Sequence, residues 1–151
     1  YVERADNTAR ILDVKYYVLL PSISWVGSTL DNSQWESILR SVSAHRSYRW
    51  VYEADYKPTN IADFLILNPQ CPRSLITCVA GTVNHLGRLA KRYGGETEAQ
   101  AAGQALLSAL ESATTDEIFD EGLHEFLTRF IKETAGLGAV IRNAYLRGDG
   151  V

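Results

Sequence analysis

Methionine is absent from this sequence, cysteine occurs only twice and proline only four times in 151 residues. Each shortage narrows the reading. With no Met and no capping residue before Tyr1, the chain opens in what reads as mid-helix, so the expectation is a piece of a longer protein. Cys71 and Cys78 form no CxxC pair and have no His at metal-ligand spacing beside them. That argues against a metal site and for two reduced, partly buried thiols. At helical spacing they stand two turns apart, too far for a disulfide. No apolar run is long enough to span a bilayer and no signal peptide is visible, so the reading is cytoplasmic and not membrane-bound. Net charge is −3 without any run of Lys or Arg, which leaves nucleic-acid binding no electrostatic footprint. Strand signals are missing too: there is no period-two run and no Asn-Gly or Asp-Gly hairpin between β-branched stretches.

What is present is helical periodicity. Residues 1–20 contain neither Pro nor Gly, so one uninterrupted helix is allowed. Val2, Ala5, Ala9, Leu12, Tyr16 and Leu19 form one apolar stripe on it, and Ile11, Val14, Tyr17 and Val18 a second on nearly the opposite side. A helix apolar on two sides belongs at the centre of a bundle. Residues 21–31 read as a loop, with Trp25 and Val26 docking back on the bundle. Asp31 as N-cap with Gln34 in a capping box opens a second helix, from about 32 to 53, on the face of Trp35, Ile38, Leu39 and Val42. Lys57-Pro58 ends it. A short third helix covers IADFLILN after a cap at Thr59 or Asn60. A fourth opens at Cys71-Pro72 and closes at Gly94-Gly95. A fifth runs from about Thr97 to Ser112. A sixth, long and glycine-interrupted, keeps Phe119, Leu123, Phe126, Phe130 and Leu137 on one face. The fold class is all-α: one domain over 1–151, a bundle of five to six helices and no sheet.

The candidate polar site begins on the first helix. Glu3, Asn7 and Arg10 stand at i, i+4, i+7, in line with Val14 and Tyr17. If that face is buried, the carboxylate needs a partner, and Arg10 or Arg73 is the natural one. Either a structural network or a site for a polar ligand would use such a line. The segment HRSYRWVYEADYKPTN, residues 45–60, is the densest in polar and aromatic chemistry. His124-Glu125 starts like HExxH, but Thr128 stands where the second His would be. Glu121, Glu125 and Arg129 read as a solvated ion-pair face.

YVERADNTARILDVKYY resembles the signature of the bacterial Alpha-E family of all-helical proteins. The same order continues in WESILRSVSAHRSYRWVYEADYKPTNIADFLILN, CPRSLITC and IFDEGLHEFLTRFI. The resemblance implies a tandem duplication about twice this length, of which this chain looks like the second, C-terminal half. It carries over onto Glu3, Arg4, Asn7 and Arg10 in the first helix, onto Lys57, Asn60, Asp63, Asn68, Pro72 and Arg73 in the middle, and onto Glu121 and Glu125 near the end. It also implies a setting: an ATP-grasp ligase protein as partner, with a transglutaminase-like protein among the companions.

Three functions are weighed. The first is an accessory or binding component of an ATP-grasp-dependent peptide or amide ligase system. The ATP-using chemistry would belong to the partner, since no lysine-rich nucleotide cleft or Mg²⁺ ligand set is legible here and no cofactor is implied. The second is an enzyme with Glu3 as general base and Arg10 with Arg73 holding a carboxylate or phosphate, in amide hydrolysis or transfer. The third is a purely structural oligomerisation module.

Overall fold

The structure, a computed structural model, describes residues 1–18 and 29–146, and the side chains of all of these except 16–18. Among them are eight helices and no strand: α1 (Val2–Val18), α2 (Thr29–Ser41), α3 (His45–Tyr52), α4 (Pro58–Ala62), α5 (Leu75–Tyr93), α6 (Glu98–Ser112), α7 (Thr115–Glu121) and α8 (Leu123–Ile141). The all-α class holds, and the count of five to six is too low. Each extra helix comes from a break inside a stretch that reads as continuous. The helix expected over 32–53 stops at Ser41 because Ser43 turns left-handed at φ 55°. The amides of Ser43 and Ala44 close on the carbonyls of Arg40 and Leu39, a helix-ending pattern that glycine usually occupies. The long final helix breaks at Gly122, whose φ of 102° suits glycine alone.

Several boundaries also move. α2 begins at Thr29, so Asp31 lies inside its first turn and is not its cap. Pro58 is the first residue of α4, ahead of the caps expected at Thr59 or Asn60. The turn after it, Asp63–Leu67, widens into a π-helix that buries Phe64, Leu65 and Ile66 in succession. α5 starts at Leu75 rather than at Pro72. Ser74 caps it by accepting from the Thr77 amide, and Gly94 ends it in the left-handed region. Thr97 caps α6, and Thr114 with Glu117 makes a full capping box on α7. Trp25, Val26 and the loop over 21–28 lie outside the described residues, as do the side chains of Tyr16 and Tyr17.

α1, α5, α6 and α8 pack most extensively on one another, and the single core cluster extends from them through α2, α3, α4 and the π-turn. α1 contributes its first stripe: Ala5, Ala9 and Leu12 are buried between α5 and α8. The second stripe does not go inside. Ile11 is half-buried and Val14 is 44% exposed, so α1 is buried on one side and solvated on the other. Leu86, Phe126 and Phe130 are buried as their spacing predicts. On α6 the buried face is Ala99, Gly103, Leu106, Leu107 and Leu110. Gly103 lets α6 approach α5 closely, with Leu86 3.2 Å from where a Cβ would stand. Cys71 and Cys78 are buried free thiols, and burial pushes both thiol pKa values up.

Candidate functional site

α3 is held from beneath and chemically open above. Tyr48 and Tyr52, one turn apart, face inward. Tyr48 stacks on Tyr52 and Tyr56 at 5.0 and 5.7 Å and meets Phe64 edge-on at 5.5 Å. Its hydroxyl donates to the Asp55 carbonyl, and that of Tyr52 to the Asp63 carboxylate. The other Asp63 oxygen accepts from Thr115 Oγ1 at 3.2 Å, tying α3 to α7 through the π-turn. Burial, then the bond to Asp63, pushes Tyr52 up to about 12. Both phenols are therefore fixed as neutral donors.

The opposite face of α3 lines an open cleft of about 810 Å³ between Arg40, His45, Arg46, Arg49, Trp50 and Glu53. Arg46, Arg49 and Trp50 follow from the helix repeat: they stand at i, i+3 and i+4, opposite the buried tyrosines. Trp50 is 82% exposed. Arg40 comes across from α2, where it donates to Glu36 at 2.8 Å. That contact holds the Glu36 carboxyl below its ordinary pKa. His45 lies 2.9 Å from the Tyr56 hydroxyl and 3.3 Å from Glu36. Burial, seconded by Arg40, lowers its pKa, so it is neutral at pH 7. Arg46 and Arg49 make no ion pair or hydrogen bond with any described residue. At the far end Glu53 takes φ 58° and ψ −125°. With Ser43, it puts a non-glycine residue at positive φ on each side of α3, at a cost of about 1–3 kcal/mol each.

The residues singled out from the sequence fall into separate places. Glu3, Asn7 and Arg10 are exposed, not buried. Arg10 donates to Asp6 at 2.8 Å, and no described arginine pairs with Glu3. The expected Glu3–Arg10 and Glu3–Arg73 contacts are therefore absent among the described residues. The physical reason is the orientation of α1, whose buried side runs through Ala5, Thr8, Ala9, Leu12 and Lys15, away from Glu3, Asn7 and Arg10. Arg73 is half-buried in the turn before α5. It shares a neighbourhood with Arg4, since both pull against the burial-driven rise of the Cys78 thiol. Lys57 and Asn60 do come together, each 3.5 Å from the Asp55 carboxylate. On α8, Arg129 grips Glu121 at 2.7 and 2.8 Å and reaches Glu133 at 3.2 Å, a surface cluster in which Glu125 has no part.

Two groups escaped sequence reasoning. One is the arginine cleft itself, signalled only by the polar density of residues 45–60. The other is the buried Lys15, whose ammonium donates to Asp31 at 2.5 Å and Gln34 at 2.7 Å and lies 5.2 Å from the Trp35 ring centroid. The pair that reads as a capping box, Asp31 and Gln34, instead clamps this lysine between α1 and α2.

The family model of Alpha-E, described as a predicted α-helical domain with a conserved ER motif, matches residues 1–146. The chain belongs to the Alpha-E family. Glu3-Arg4 is the single Glu-Arg dipeptide in the sequence, so it carries that motif in this Alpha-E domain. Both residues are exposed in the first turn and a half of α1, with the Arg4 guanidinium 5.4 Å from the Tyr1 ring centroid. Neither a curated protein nor a solved structure matches the chain. No helix among the described residues is long and apolar enough to cross a membrane.

Proposed function

We propose that this Alpha-E domain is the helical accessory component of an ATP-grasp-dependent peptide or amide ligase system, binding the ligase and leaving ATP use to it. One observation carries the reading. The Glu3-Arg4 pair that marks the family is exposed, and neither side chain has an ion-pair partner among the described residues. A charged pair kept across a family without serving the fold serves something outside it. The partner follows from the family resemblance, as do a bacterial cytoplasmic setting and a transglutaminase-like companion. An enzyme built on Glu3 with Arg10 and Arg73 has less support, because Arg10 is engaged by Asp6.

The test is copurification of the full protein with its ATP-grasp neighbour. Retention of the complex is expected for wild type, with loss in E3A/R4A at unchanged helicity. Ligation proceeding at its normal rate after deletion of the Alpha-E protein would overturn the proposal.

A further inference from the structure

The cleft over α3 stands apart from Glu3-Arg4 and does not depend on that reading. We propose that it is a docking site for an acidic peptide segment, with Arg46 and Arg49 taking two of its carboxylates and Trp50 an adjoining apolar side chain.

Charge comes first. Three arginines and a single carboxylate, Glu53, line the cleft. Arg40 is already engaged by Glu36, whereas Arg46 and Arg49 make no ion pair or hydrogen bond among the described residues, Arg49 reaching Glu36 only through its longer-range field. Two unpaired guanidiniums one helical turn apart offer two planar forks, each shaped for a carboxylate. His45 beside them has a lowered pKa and is neutral at pH 7, so the positive charge of the cleft is that of its arginines.

Shape and composition then choose among anions. The cleft is an open trough, and a wall of this kind covers one side of an extended chain rather than enclosing a small ligand. Arginine, tryptophan and tyrosine are the residue types that concentrate binding energy at protein interfaces. Trp50, 82% exposed, fits that role. An inorganic phosphate would use only the guanidiniums and leave the indole in water; an acidic peptide with an apolar residue uses both. The platform is also preorganised. Tyr48 and Tyr52 anchor α3 from below, and Ser43 and Glu53 fix its two ends.

The experiment is calorimetric titration of the full protein with a blocked hexapeptide of glutamate and leucine. Its lysine-for-glutamate counterpart, pyrophosphate and ATP are titrated in parallel. The acidic peptide is expected to bind, to weaken at least about tenfold in R46A/R49A, and to quench tryptophan emission in wild type but not in W50F. The lysine peptide should give no heat of binding. K91A/R92A, which removes two exposed charges from the end of α5, should bind as wild type does. Arg46 and Arg49 are exposed, so their variants should keep the wild-type melting temperature. Should R46A/R49A fail to fold, the milder R49Q is expected to weaken binding in the same direction. Absence of acidic-peptide binding, binding unchanged in R46A/R49A and R49Q, or tighter binding of pyrophosphate or ATP than of the peptide would each overturn the assignment.

Discussion

The two ends of α1 treat charge in opposite ways. Near its C-terminus Lys15 is 7% exposed, and Asp31, Gln34 and the Trp35 ring all face its ammonium. Near its N-terminus Glu3 and Arg4 are exposed and unpaired among the described residues. Burial explains the first case. An ammonium withdrawn from water costs several kcal/mol unless a carboxylate and further acceptors replace its hydration. Nothing in the fold demands the second case, because a solvated charge is already satisfied by water. Paired buried charge therefore reports on architecture, whereas the exposed charge of the family motif is left facing solvent.

The sharpest way to break this contrast is at Asp31. Its replacement by Ala strands a buried ammonium and should lower unfolding free energy by about 3–5 kcal/mol, read from the urea midpoint. The double change Lys15→Met with Asp31→Leu should recover most of that loss, since it removes both charges together. A loss under about 1 kcal/mol in Asp31→Ala would mean the pair is wetter than its 3% exposure indicates. Between the two ends lies Leu12, 1% exposed. Leu12→Ala should cost about 2–5 kcal/mol with no effect on partner binding, showing that the apolar stripe holds α1 in place. A cost below about 0.5 kcal/mol would move Leu12 to the surface.

His45 is the intermediate case, partly buried and facing Glu36, Arg40, Arg49 and Tyr56. Its folded-state pKa is lowered, first by burial. Below the ordinary value of about 6.5 the unfolded chain therefore binds more protons than the native one. Stability rises with pH in that window and is lost as pH falls from about 6.5 through the lowered value. His45→Asn should flatten the slope of melting temperature against pH between about 5 and 7. An unchanged slope would remove His45 as its source.

Periodicity made much of the bundle legible. The Leu12, Phe126 and Phe130 faces follow from spacing alone, and the end of α5 at Gly94 from the residue type there. Breaks were readable only where the breaking residue is specialised. Gly122 could be suspected; Ser43 could not, because serine is an ordinary helix-surface residue and its buried neighbours Val42 and Ala44 carry no turn signal. The expected burial of the Glu3–Asn7–Arg10 line fails on a different point. Val14 and Tyr17 suggest a buried second face that would take the polar line inside with it. Apolar residues on a helix are permitted on the surface, and Val14 is there. The arginine cleft could not be read from spacing within α3 alone, since Arg40 joins it from α2 across the Ser43 turn.

The smallest expected effect sharpens the comparison most. Glu3→Ala and Arg4→Ala, singly or together, should leave the unfolding free energy within about 1 kcal/mol of wild type, because neither side chain is buried or ion-paired among the described residues. The Arg4 guanidinium beside Tyr1 is the one contact at risk, and exposed stacking of this kind is worth about 0.5–1 kcal/mol at most. Against that near-silence, partner retention in the copurification assay should fall sharply. A loss above about 2 kcal/mol for either variant would show the motif to be architectural after all, placing Glu3 and Arg4 with Lys15 and Asp31 rather than opposite them. Arg10→Ala supplies the internal control. It removes the Asp6 contact on the same helix face, and it should disturb neither stability nor retention if the Glu-Arg pair alone is the contact.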